Sequence, residues 1–357
     1  MKNTFKLLVL LFLIPLFISA TEKRGKYTKT KVINKEFNVN NNATLKVENK
    51  YGNLEIVTWN ENKIVIKVSV TTTGNVEEKV QKKLDQINVE FNNSPSNVSA
   101  KTIIERSSSS WRIWGKNNNV SMEINYLIKM PITNNVNLNN DYGAINLDKL
   151  EGTSKINCDY GSINIGELHN STNYINIDYT NNSYIDFMKD GEINADYSTL
   201  NVDRSGSTKL NADYSHISFG KVSNLDFNCD YGSLKIEDSG NITGVSDYMH
   251  IATGKLRGSG DFNIEYGSLK IKEIENQFKS LKVVSSYTHL KFGIAPTTSF
   301  NISAYLSYSG LKYGNAKFIF SKQKTNFSQK EYEGFYNTHN SGNTISIKSD
   351  YGSVTFL

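Results

Sequence analysis

Trp111 and Trp114 flank Arg112 and stand just before Lys116, inside the run SSSSWRIWGKNNN at Ser107–Asn119. Indole faces beside a guanidinium make binding hot spots and carbohydrate platforms, because a rigid amphipathic ring contributes large contact area at little conformational cost. These four residues are the ligand-binding candidates. A hairpin that folds its indoles over a neighbouring core is the structural alternative. The remaining candidates come in columns. An acid precedes a tyrosine at Asp141, Asp159, Asp178, Asp196, Asp213, Asp230, Asp247, Glu265 and Asp350. Stacked carboxylates could hold Ca2+ or a basic partner. Calcium loops of repeat proteins need denser acids set among glycines, so the acids are read as turn residues that accept backbone N–H groups. His216, His250 and His289 share one slot on alternate repeats. Two strand spacings, about 9.6 Å, keep them too far apart to share a zinc ion. No catalytic residue, metal ligand or cofactor is assigned.

Each of these columns hangs on a tyrosine. The anchors are Tyr142, Tyr160, Tyr179, Tyr197, Tyr214, Tyr231, Tyr248, Tyr266, Tyr287 and Tyr308, in steps of 17–21 residues, with Tyr351 closing the chain. The nine residues NCDYGSINI at Asn157–Ile165 return almost unchanged as NCDYGSLKI at Asn228–Ile236. A fixed period near 20 is the mark of a repeat that buries its face only by stacking on its neighbours. Aliphatic or small residues sit four and two before the tyrosine, as at Ile156 and Cys158, and three and five after it, as at Ile163 and Ile165. Period two on both sides means strand. The parity changes across the tyrosine, so a bend at the following Gly or Ser is expected to bring both strands onto one core. The tyrosine shares its parity with the preceding buried pair, which predicts stacked core rings rather than an exposed sugar-binding strip. Asn139, Asn157, Asn176, Asn194, Asn211 and Asn228 predict a parallel ladder of amides.

The fold class expected from this pattern is all-β: a single-stranded parallel β-solenoid (β-helix) of roughly 17–21-residue coils, with a β-rich N-terminal end carrying one short helix. Residues 1–20 read as a signal peptide: Lys2 and Lys6, an apolar run at Leu7–Ile18, and a cleavable Ile18-Ser19-Ala20. Residues 21–36 are assigned to a linker, 37–130 to the N-terminal cap region and 131–357 to the repeat domain with its C-terminal cap. Val76, Val80, Leu84 and Ile87 mark the helix. VENKYGNLEI at Val47–Ile56 already obeys the repeat rule, and Ser321–Asn343 is the candidate for the far end. Asn182 stands where an aliphatic belongs, so the coil around Tyr179 should be irregular.

Removing two lysines with the signal lowers the net charge from +5 to +3. That is too weak and dispersed for nucleic acid or an acidic membrane. No later run is long and apolar enough to span a bilayer. Cys158 and Cys229 both lie two residues before an anchor, four coils apart. Four strand spacings make about 19 Å, far beyond the roughly 7 Å limit on Cα atoms joined by a disulfide. Two free, buried thiols are expected.

The signal peptide, the strand–helix–strand entry and the serial DYGxIxI coils resemble the bacterial putative-adhesin family of secreted β-solenoid domains, related to autotransporter adhesin head domains. The resemblance covers roughly residues 35–357. It implies an extracytoplasmic, non-catalytic role and supplies no catalytic residues. The function expected is a secreted or cell-envelope structural and adhesion module, located in the periplasm, at the cell surface or outside the cell. A cell-surface glycan or an envelope protein would be its partner. The alternative is a carbohydrate-active β-helix enzyme of the polysaccharide lyase or hydrolase type, which needs long loops to wall a cleft.

Overall fold

The computed structural model describes residues 25–105 and 120–357. The chain is all-β with one short helix, and the described strands, 25 in number, form one mixed sheet. Successive repeats pair in parallel. Ser154–Asp159 lies between Asn135–Asp141 and Asn173–Asp178, with Ile156 opposite both Leu138 and Ile175. The second strand of each repeat pairs the same way, as Ser162–Leu168 does with Ala144–Leu150. Each repeat brings the chain back to within about one strand spacing of where the previous repeat began. Tyr231 and Tyr248 are 17 residues apart, which would be about 56 Å along a straight strand, yet their ring centroids lie 4.8 Å apart.

The bend that permits this return is at the tyrosine, not at the small residue after it. All twelve column tyrosines, from Tyr51 to Tyr351, have φ between 48° and 62°. One left-handed residue inverts the alternation of the strand. Asp and Tyr therefore both face outward, and the next inward positions fall one, three and five residues later. The inward rows are buried: Ile156, Ile163, Ile175, Leu200, Leu210 and Leu269 are fully enclosed. Each such side chain contributes about 1.5–3 kcal/mol of burial.

The residue after the tyrosine fills the inner corner, as Gly, as Ser or Thr, or once as the buried Met249. Where it is glycine the rungs come very close. A Cβ on Gly161 would stand 2.0 Å from the carbonyl oxygen of Gly143, and one on Gly232 equally close to that of Ser215. Where it is Ser or Thr, the hydroxyl is hydrogen-bonded inside the corner: Ser198, Ser215 and Thr288 donate to backbone carbonyls, as Ser215 does to Ala195 at 2.8 Å, while Thr180 and Ser309 bond the hydroxyls of Ser198 and Ser349. The expected irregularity around Tyr179 is present: Asn182 adopts φ 56°, and the extra residue brings Ser183 into the inward row opposite Leu200.

Both ends differ from a purely parallel stack. Residues 27–36, assigned to a linker, belong to the strand Tyr27–Asn38, antiparallel to Lys63–Gly74, which is antiparallel in turn to Ser121–Pro131. That early segment alternates Thr, Lys, Val and Ile too weakly to stand out as a strand; pairing along its whole length orders it. The helix Glu77–Asp85 buries Val80 and Leu84, while Ile87 opens the following strand. At the far end Phe318–Thr325 and Gln329–Tyr336 form an antiparallel hairpin against Phe300–Ser307. The last repeat is inserted rather than appended: Thr344–Asp350 lies between Ser280–Ser286 and Phe300–Ser307.

Cys158 and Cys229 are free and buried. The register Cys158, Ile177, Ala195, Ala212, Cys229 puts four rungs between them. Burial pushes both thiols up to about 12. Native protein at pH 8 is expected to leave both unreactive toward a thiol reagent, and denatured, non-reduced protein to show two reactive groups per chain. An intramolecular bridge would contradict the register.

Candidate functional site

The left-handed corner carries every tyrosine ring to the surface. Every one of these tyrosines is exposed, from 38% at Tyr51 to 55% at Tyr308. The expected buried rings are therefore corrected. Tyr142, Tyr160, Tyr197, Tyr214, Tyr231, Tyr248, Tyr266 and Tyr351 form an outer column with Tyr51, Tyr179, Tyr287 and Tyr308. Parity failed because it assumed one continuous strand through the tyrosine, whereas a positive φ there reverses the side.

The column is continuous. Tyr51 stacks on Tyr142 with centroids 5.1 Å apart, and from Tyr160 to Tyr287 each ring lies 4.8–4.9 Å from the next with planes within 7°. Tyr351 then sits between Tyr287 and Tyr308, as the inserted last repeat requires. Centroids at this distance with parallel planes are offset-stacked, worth about 0.5–1.5 kcal/mol per pair beyond burial. Neighbouring rings cover much of each face. The surface therefore presents ring edges and phenol O–H groups, one per rung. Desolvation, then neighbouring phenols and carboxylates, holds the Tyr197, Tyr231 and Tyr266 hydroxyls above their ordinary range, which keeps them neutral donors.

An acidic column borders the rings on one side. The tyrosine N–H donates to the carbonyl of the aspartate one rung on, as from Tyr142 to Asp159 at 2.9 Å. The expected within-turn bonding of the carboxylates is replaced by bonding between rungs: Asp213 N–H donates to Asp196 Oδ1 at 3.1 Å, and Asp247 N–H to Asp230 Oδ1 at 2.9 Å. Lys50 caps the column with an ion pair to Asp141 at 2.6 Å. Desolvation first, and then the neighbouring carboxylates, raises the Asp159, Asp178 and Asp213 carboxyls above the ordinary range.

On the other side runs a hydroxyl and imidazole column. His216 bonds Ser233 at 2.8 Å, His250 bonds Ser268 at 3.0 Å and His289 bonds Ser353 at 3.0 Å, each partner one rung on. Among the described residues no group of three or more His, Cys, Asp or Glu could hold a metal ion. The amide ladder is present in part: Asn157 donates to Asn139 at 2.6 Å and Asn211 to Asn194 at 2.8 Å. Trp111, Arg112, Trp114 and Lys116 lie outside the described residues, as does the 1–20 segment. Among the described residues no helix is long and apolar enough to cross a membrane.

No family model and no curated protein matches the chain. Three solved structures align along most of it. One is described as a putative cell adhesion protein from Clostridium sporogenes, at 10% identity over 92% of this chain and 99% of that one, with a TM-score of 0.21. A putative adhesin from Bacteroides fragilis aligns at 10% identity over 92% and 97%, TM-score 0.24. A putative adhesin from Parabacteroides distasonis aligns at 11% over 92% and 97%, TM-score 0.29. Superposition at these scores does not establish a shared fold.

The raised carboxyls have a signed consequence. A carboxyl whose folded value lies above its unfolded value lowers stability once ionised, and that penalty disappears as pH falls through the folded value. Like charges one rung apart repel by about 1 kcal/mol in water. Asp159→Asn with Asp178→Asn is therefore expected to raise stability by about 1–2 kcal/mol at pH 7 in low salt. The gain should vanish near pH 3. Urea unfolding at both pH values checks it.

Proposed function

We propose that this chain is an exported β-solenoid that acts as a non-catalytic adhesion and binding module, with the tyrosine column as its contact surface. The observation that carries the reading is twelve exposed aromatic residues held in left-handed backbone. An L-residue there costs about 1–2 kcal/mol, and Asn or Gly would hold the corner more cheaply. Strain kept at an exposed position is a pointer to function. The column offers a linear face of edges and hydroxyls, flanked by acids on one side and small hydroxyls on the other. Such a face suits an extended partner contacted at many equivalent points, so that modest rung affinities accumulate. Repetition of one environment also argues against a catalytic centre, which needs unlike groups converging at one place.

The signal-like start, Lys2 to Ala20, supports export to the periplasm or cell surface. Trp111, Arg112, Trp114 and Lys116 remain a second candidate contact. The chain enters and leaves their segment at Glu105 and Val120. On the far side Ser121 and Met122 join Tyr51 and Tyr142 in lining a groove of about 430 Å³ at the N-terminal end of the column. A cell-surface glycan or envelope protein is the partner this reading favours.

The test replaces Tyr197, Tyr214 and Tyr231 together by Asn, which tolerates the left-handed region. Binding of labelled residues 21–357 to intact cells and envelope preparations is expected to fall at least tenfold, with circular dichroism unchanged. Unchanged binding would remove the column from the contact surface. Collapse of the fold would make it a structural spine.

A further inference from the structure

A second linear feature runs along the other corner of the repeat, away from the tyrosines. Three open surface hollows of about 440, 410 and 480 Å³ follow one another along the stacking direction. They are continuous: the first two share Asn241 and Thr243, and the last two share Thr344 and Ser346. Each lies within the usual small-ligand range of about 300–1,000 Å³. Their floor follows one strand register, in which Gly191 pairs with Thr208, Gly260 with Leu281, Leu281 with Ile345, and Ile302 with both Ile345 and Gly334. From Gly191 to Gly334 this makes eight rungs, about 38 Å.

One wall is a hydrogen-bonded ladder. Asp190 accepts the Ser207 N–H at 2.8 Å, and Asn224 donates to Ser207 Oγ at 3.0 Å. Asn241 donates to Asn224 Oδ1 at 2.8 Å, and the Ser259 N–H donates to Asn241 Oδ1 at 2.9 Å. Each amide uses one N–H within the ladder and keeps a second for a ligand. The opposite wall carries Lys209, Asp226, Thr243, Asp261 and Lys282, all exposed. Its cations are already neighboured by acids, Lys282 to Asp261 at 3.2 Å and Lys209 to Glu192 at 3.8 Å. At the far end Phe335 leans on His339, with ring centroids 5.0 Å apart, beside Glu333 and Ser303.

We propose that this groove binds an extended, neutral, β-1,4-linked oligosaccharide lying along the stacking axis, its terminal sugar against Phe335. The walls carry more acids than cations, with Asp190, Glu192, Asp226, Asp261 and Glu333 against Lys209 and Lys282, so they offer no unpaired cationic stripe for a polyanion such as nucleic acid or a polyuronate. An extended peptide repeats its facing side chains every 6.6–6.8 Å or so, out of step with rungs about 4.8 Å apart. Successive sugars of a β-1,4-linked hexose chain are turned over, so one face recurs at every second sugar, close to two rungs, and the hydroxyls of that face meet an amide or hydroxyl at every second step. The site is separate from the tyrosine column and stands or falls apart from it.

The test is calorimetric titration of residues 21–357 with chitohexaose and cellohexaose, and with hexagalacturonate and maltohexaose as acidic and α-linked controls. Binding of at least one β-1,4 hexasaccharide is expected, with neither control competing. Thr243→Trp and Ser346→Trp, each at an exposed position, should weaken it at least tenfold with the melting temperature unchanged. The triple tyrosine variant should bind as the parent does. The inference is overturned if neither hexasaccharide binds, if both tryptophan variants bind normally, or if hexagalacturonate binds more tightly. Loss of hexasaccharide binding in the tyrosine variant alone would also overturn it, while leaving the column as a contact surface.

Discussion

The constraint on which the rest depends is a left-handed residue once per repeat. A strand that continued straight through the tyrosine would send its second half's apolar row to the outside, because successive side chains alternate. With φ near 50° at one residue, Ile156 and Cys158 before Tyr160, and Ile163 and Ile165 after it, all reach one core. That corner is costly for an L-residue, about 1–2 kcal/mol. Stacking offsets it by about 0.5–1.5 kcal/mol per neighbouring pair. The offset exists only when adjacent corners are in register, so ring stacking and strand pairing specify the same alignment.

Register then dictates the surface. Whatever occupies a given slot in one repeat lies about 4.8 Å from the same slot in the next, so sequence similarity between repeats becomes a column of like groups. For neutral groups this is favourable: amides such as Asn157 and Asn139 bond directly, and Ser partners meet His216, His250 and His289. For carboxylates it is not, and Asp159, Asp178 and Asp213 carry the repulsion as raised protonation equilibria. Acids kept in this arrangement leave a surface with one sign on one side of the rings and small hydroxyls on the other. At the ends the alignment stops being purely parallel: antiparallel strands occupy what would otherwise be open strand edges, which template aggregation.

Much of this was legible in the residues. The period, the two inward rows, the helix near Val80 and the wide separation of the cysteines all follow from spacing, because each depends only on local alternation and rise. The facing of the tyrosines did not follow. A signal was present: Thr180, Ser198, Ser215 and Thr288 form a row of small residues one after the anchor, which is what an inward corner position needs. Reading that row as the bend placed the turn one residue late. The insertion of Thr344–Asp350 between earlier repeats was also hidden, since a period says which segments are alike but not the order in which they stack. The groove along the second corner was invisible for a related reason. Its walls, such as Asn241 and Thr243, come from the variable residues between motif copies, and only three-dimensional register lines them up.

The central claim is the rung-by-rung register, and engineered disulfides test it most directly. Asn201 and Ser218 are register partners on the outer face, and Tyr184 is the partner of Asn201 on the far side. Cysteines at 201 and 218 are one rung apart, about 4.8 Å, within disulfide reach; cysteines at 184 and 218 are two rungs apart, about 9.6 Å, and beyond it. Mild oxidation of the Asn201→Cys, Ser218→Cys protein should give a quantitative intramolecular bridge, seen as loss of two titratable thiols under denaturing conditions. The Tyr184→Cys, Ser218→Cys protein should give none. Bridging in the second pair and not in the first would contradict the register, and with it the tyrosine column and everything built on it.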